Sequence, residues 1–189
     1  MAHAHGQCSA QPSSRRTSLT SYGACPLSDL LAEIDAYYRF YPVDGIFLDE
    51  MANDPNGLTA QSGLAAAAYY KHIHDHVKAG RSTHNIVIGN PGSAATTAWQ
   101  LDAPVADNLV VFEGPMASYL NWSSPSWARN RPANKFSNLV YSTTSAQGGQ
   151  ACNLSRSRNA GLIDVTDDGP PNPWDTLPSY WPLVAPACL

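Results

Sequence analysis

Five short apolar runs recur along the chain at intervals that a helix can fill, and this alternation restricts the fold more than any other feature. "VDGIFL" (43–48), "NIVIGN" (85–90), "NLVVFEG" (108–114), "NLVYST" (138–143) and "GLIDVTDD" (161–168) are each short and almost continuously apolar, the pattern of strands in a parallel sheet covered on both faces. Ahead of the first, "PLSDLLAEIDAYYRFY" sets Leu27, Leu30, Leu31, Ile34, Tyr38 and Tyr41 at helical spacing behind Pro26. "LTAQSGLAAAAYYKHIHDHVKAG" carries Ala66, Tyr70, Ile73 and Val77 on one side and closes at Gly80. "SAATTAWQL" reads as a short helix, "MASYLNW" and "PSWARN" as helical turns, and residues around 150–159 as a weak polar helix. Strands alternating with helices predict parallel β/α units, closed into a barrel or doubly wound. Neither G-x-G-x-x-G nor a P-loop occurs, so a nucleotide-binding sheet loses its main support and the barrel gains.

At 189 residues, 43% hydrophobic and 14% charged, the chain can bury a core and fits one domain. Residues 1–18 are polar and aperiodic, a disordered or non-native segment ahead of a domain at 19–189. A net charge of −4 and a pI near 5.8 disfavour nucleic acid and anionic membrane as partners. No apolar run approaches the roughly 20 residues of a membrane span, and the start carries no signal-peptide h-region. The four cysteines, 8, 25, 152 and 188, lack zinc-ligand spacing. Disulfides, with Cys152–Cys188 the foremost pair, and buried free thiols both fit that count.

In a β/α barrel the site lies at the carboxyl ends of the strands. The runs above end in Asp49–Glu50, Asn90, Glu113, Ser142–Thr143 and Asp167–Asp168. Acids thus arrive on one rim from three strands, which suits glycoside hydrolysis: one carboxyl group protonates the leaving oxygen and another attacks or activates water. Trp99, Trp122, Trp127, Trp174, Trp181, Tyr119 and Tyr180 follow strands and offer flat rings for sugar faces. The competing reading makes strand-end acids helix caps, and "MANDPNGLT" after Glu50 is rich in capping residues. Glu113 escapes it, because "GP" follows and breaks any immediate helix. Asp49 and Glu50 point to opposite faces if both lie on a strand, so they share a pocket only where the strand has ended. His72 and His76 share a helix face but lack the Glu of H-E-x-x-H, and the expectation is a solvated face, with no metal and no cofactor.

Taken together, "VDGIFLDE", "NPG", "VVFEG" and "TDDGPPNPWDTLPSYW" resemble the spherulin-4 family of β/α-barrel proteins, in order, over about residues 19–184. The resemblance implies a (β/α)8 TIM-barrel type fold and a glycoside hydrolase family 135-like endo-α-1,4-N-acetylgalactosaminidase acting on galactosaminogalactan. It implies Asp49, Glu50 and Glu113 as catalytic acids, while the strand ends contribute Asn90, Asp167 and Asp168, and the aromatic rings contribute Tyr119, Trp174 and Tyr180, as candidates for binding substrate. It further implies an extracellular or wall-associated protein, monomeric when full length, whose partner is a polysaccharide. The start departs from the family, whose members open with further strands, whereas "SSRRTSLTSYG" supplies a stub. With five strands against the eight of a closed barrel, the expectation is an incomplete chain lacking its first two or three β/α units. The alternative is a non-catalytic carbohydrate-binding or wall-associated protein, or an inactive fragment, on the same scaffold.

Overall fold

The computed structural model describes residues 18–57, 59, 63–92 and 97–182. They form an α/β protein of parallel strands, divided into two compact units: Met1–Pro91 with Trp99–Asp107, and Gly92–Ala98 with Asn108–Leu189.

The first unit contains strands β1 (Ser18–Leu19), β2 (Gly45–Asp49) and β3 (Ile86–Gly89), with helices α1 (Leu27–Phe40), α2 (Ala66–Lys78) and α3 (Trp99–Asp102). The strands run parallel, Leu19 beside Asp49 and Leu48 beside Gly89. Gly45 is what lets β2 meet β3, since a Cβ there would stand 2.1 Å from the backbone oxygen of Ile86. The two faces of β2 are covered unequally: Ile46 and Leu48 are buried, while Phe47 and Asp49 on the other face are partly buried. The helices supply Leu30, Ile34, Tyr69, Tyr70, Ile73 and Val77 to the core around Leu48, Met51 and Val87. His76 Nε2 lies 2.8 Å from Asp35 Oδ1.

The second unit contains β4 (Asn108–Pro115), β5 (Phe136–Tyr141) and β6 (Leu162–Val165), with α4 (Met116–Tyr119) and α5 (Ser145–Ser157). These strands are also parallel, with Glu113 beside Leu139 and Leu139 beside Asp164. Its core gathers Phe112, Met116, Tyr119, Val140, Ala151, Val165 and Tyr180. Helix α5 starts at residue 145, earlier than its weak periodicity predicts, because Thr144 and Gln147 form a capping box.

Several expectations are corrected. Ser18, read as part of the segment ahead of the domain, belongs with Leu19 to β1, a strand invisible in its polar context. Strand β4 runs two residues past Glu113, and α4 follows Pro115 directly, because proline at a helix start loses no hydrogen bond. Strand β6 stops at Val165, so Asp167 and Asp168 lie beyond it. Cys25 and Cys152 are both disulfide-bonded, which removes the free-thiol reading for them. The Cys152–Cys188 pairing and the character of residues 1–17 lie outside the described residues, as do the first residues of "SAATTAWQL".

Candidate active site

In the first unit the site is built on the carboxyl end of β2. The strand ends at Asp49, and Glu50 turns out of it with a left-handed backbone, φ 51°. Alternation along the strand therefore does not separate the two side chains. A left-handed residue with a Cβ costs about 1–2 kcal/mol and persists only where its surroundings fix it. They do so from both sides. Asp49 O accepts Thr20 N–H at 3.0 Å, and Glu50 O accepts Tyr22 N–H at 2.7 Å and the Thr20 hydroxyl at 2.6 Å. Across the strand, Asn90 N–H donates to Leu48 O, and Met51 N–H donates to Asn90 O, both at 2.8 Å. Asp49 Oδ1 accepts the Glu50 N–H and the Asn90 amide, each at 2.9 Å.

Proton counting gives the Thr20 contact a direction. Ala52 N–H donates to the Tyr70 hydroxyl at 2.9 Å, and the single Thr20 proton goes to Glu50 O, so Tyr70 donates to Thr20 Oγ1 at 2.9 Å. Burial pushes the Tyr70 phenol up to about 12, against the hydrogen bonds of Thr20 and Ala52 and with help from Tyr22 and Glu50, so it stays neutral and keeps that proton. Among the described residues no hydrogen bond reaches the Glu50 carboxylate, whereas its backbone is held three ways.

The second unit centres on Glu113, whose Oε1 accepts the indole N–H of Trp174 at 3.0 Å. Trp174 also packs edge-on against Tyr141 at 6.2 Å. The loop that carries it is pinned by the two acids expected to bind substrate. Asp167 accepts Ser179 N–H at 3.0 Å and also the Ser179 hydroxyl, which together hold its carboxyl below the ordinary range. Asp168 accepts Gly169 N–H at 2.8 Å and the Thr176 hydroxyl at 3.3 Å. Both act as loop fasteners. Ser142, just past β5, repeats the left-handed turn of Glu50 with φ 50° and donates its N–H to Asp168 O at 2.8 Å.

Tyr119 is fully buried, packed on Phe112 and Trp122 with the Arg158 guanidinium 4.5 Å over its ring, so it cannot stack on a sugar. Tyr180 is 6% exposed and gives its hydroxyl to Thr143 O, again a core role. Asn90 is 2% exposed and orients Asp49. Trp99, Trp122 and Trp127 pack against Tyr70, Phe112 and Phe136. The residues missed in the sequence were Thr20, Tyr70 and Tyr141, none of which carries a motif. Among the described residues no cluster of three or more His, Cys, Asp or Glu is placed to hold a metal.

Parallel β/α units define an α/β protein, and within each unit carboxylates stand at or near the carboxyl end of a strand, Asp49 and Glu50 in the first and Glu113 in the second. The chain belongs to spherulation-specific family 4, whose sequence model, Spherulin4, matches residues 19–187. It is 31% identical over 158 residues to Spherulin-4 of Physarum polycephalum, an alignment covering 78% of this chain and 43% of that protein. The chain thus spans less than half the length of that curated relative. A crystal structure of Aspergillus clavatus Sph3 in complex with GalNAc superposes with a TM-score of 0.66 at 20% identity, covering 90% of this chain and 69% of the other.

Proposed function

We propose that the protein is a glycoside hydrolase of the spherulin-4 type on a β/α-barrel scaffold, an endo-α-1,4-N-acetylgalactosaminidase in the manner of glycoside hydrolase family 135. Its substrate is the N-acetylgalactosamine and galactosamine polysaccharide galactosaminogalactan. The observation that carries the proposal is the Asp49–Glu50 pair, with Glu50 turned out of β2 and held left-handed by hydrogen bonds to its backbone. A strained acid with a fixed main chain suits a group that must act on a ligand. The GalNAc seen with Sph3 supports the sugar class.

Glu50 and Glu113 divide the two carboxyl roles, acid and nucleophile, and Asp49 tunes its neighbour. Trp174 keeps one oxygen of Glu113 as a hydrogen-bond acceptor, because an indole N–H can only donate. The protein works outside the cell or at the wall, a reading supported by its disulfide-bonded cysteines. Incubation with galactosaminogalactan, followed by mass spectrometry of the products, tests the proposal. Internal oligosaccharides with galactosamine reducing ends are expected, and an intact polymer beside a folded protein would contradict it.

A further inference from the structure

Immediately after β1 the chain enters a conformation that L-residues avoid. Ser21, Tyr22 and Gly23 are left-handed in succession, with φ of 46°, 56° and 84°. Only the glycine adopts this without strain. The turn is tied down by Gly23 N–H to Thr20 O at 3.0 Å, Ala24 N–H to Ser21 O at 3.0 Å, Tyr22 N–H to Glu50 O at 2.7 Å and the Tyr69 hydroxyl to Cys25 O at 2.9 Å. So much fixing normally buries a side chain, yet the Tyr22 ring is 56% exposed.

Its position separates it from the other exposed apolar groups of this unit. Phe40 and Tyr41 precede β2 and Ile86 opens β3, all at the amino ends of strands. Among the described large apolar residues exposed in the first unit, Tyr22 stands alone beyond a carboxyl end, and the strand it follows is paired with the strand that ends at Asp49. The geometric link between the two residues is the backbone bond from Tyr22 N–H to Glu50 O at 2.7 Å, which sets the residue that carries the ring directly beside the residue that carries the acid.

We infer that Tyr22 is a sugar-stacking residue, its ring the platform for one pyranose face of the amino-sugar polymer beside Glu50. A flat ring offers an apolar face to the C–H side of a pyranose, and the bond from Tyr22 N–H to the Glu50 carbonyl holds the backbone that carries the ring next to the acid's own. The inference rests on the carbohydrate reading of the site but not on hydrolysis.

The test is titration of soluble galactosaminogalactan oligosaccharides into wild-type protein and into Tyr22→Gly, Tyr22→Phe and Tyr22→Trp. Glycine is the informative change, because it removes the ring while relieving the strained φ, so the fold is kept. Tyr22→Gly should bind roughly threefold to tenfold more weakly at an unchanged or higher Tm, the scale of one aromatic stack, with Phe and Trp close to wild type. Wild-type affinity in Tyr22→Gly overturns the inference, and so does an absence of binding by the wild type. If the wild type binds without cutting and Tyr22→Gly loses affinity, the platform stands and the hydrolase assignment falls.

Discussion

The backbone carbonyl of Glu50 accepts the N–H of Tyr22 at 2.7 Å, and both residues are left-handed, at φ 51° and 56°. Two strained residues from neighbouring strand ends thus support each other. Replacing Glu50 should therefore reverse the usual order of helix and strand stability. Glu50→Gly should be about 1 kcal/mol more stable than Glu50→Ala, because only alanine keeps a Cβ in this conformation. Urea unfolding of the two variants measures the difference directly, and alanine proving the more stable would remove the strain from the account.

Tyr70 should make the fold sensitive to alkali. Its phenol sits at about 12 when folded against 10.0 otherwise. Above pH 10 the unfolded chain releases this proton while the folded one retains it, so stability falls as pH rises from 10 towards 12. The loss attributable to Tyr70 is on the order of 3 kcal/mol. Tyr70→Phe should flatten that slope, while costing about 1–3 kcal/mol at neutral pH by stranding the Ala52 N–H. Equal slopes in the two proteins would mean that Tyr70 titrates normally.

Gly45→Ala should be among the more damaging small substitutions. The added methyl meets the Ile86 carbonyl, a backbone atom at 2.1 Å that cannot move aside without parting β2 from β3. A loss of about 1–3 kcal/mol is expected from overpacking alone. Denaturant midpoints with an unchanged m-value would show it.

Much of this was readable in the chain, and the failures share a cause. Continuous apolar runs such as "NLVVFEG" announce strands because burial on two faces leaves no other use for them. Ser18–Leu19 announces nothing, since two residues in polar surroundings become a strand only when β2 provides the partner. Asp49, Glu50 and Glu113 could be picked from strand-end logic and from the family resemblance. The left-handed turn at Glu50 could not, because glutamate has no preference for it and bonds to Thr20 and Tyr22 impose it. Nor does the sequence join Glu113 to Trp174, which are brought together by a loop fastened through Asp167 and Asp168. Tyr119 misled for a similar reason: it follows a strand, but α4 turns its ring onto Phe112.

Trp174→Phe isolates one hydrogen bond while leaving an aromatic ring on Tyr141. The variant should turn over galactosaminogalactan about tenfold or more slowly, with KM nearly constant and the pH–rate profile displaced. A rise in KM alone would make Trp174 a binding residue that merely touches Glu113.

The central claim is that Glu50 and Glu113 carry the chemistry, and reducing-end release from galactosaminogalactan by Glu50→Gln and Glu113→Gln tests it most directly. Each amide keeps the size of the side chain and removes its acid–base function. Turnover should fall by about 100-fold or more in both while polymer binding is largely kept. Near-normal turnover by either variant would contradict the claim for that residue and leave it a structural acid.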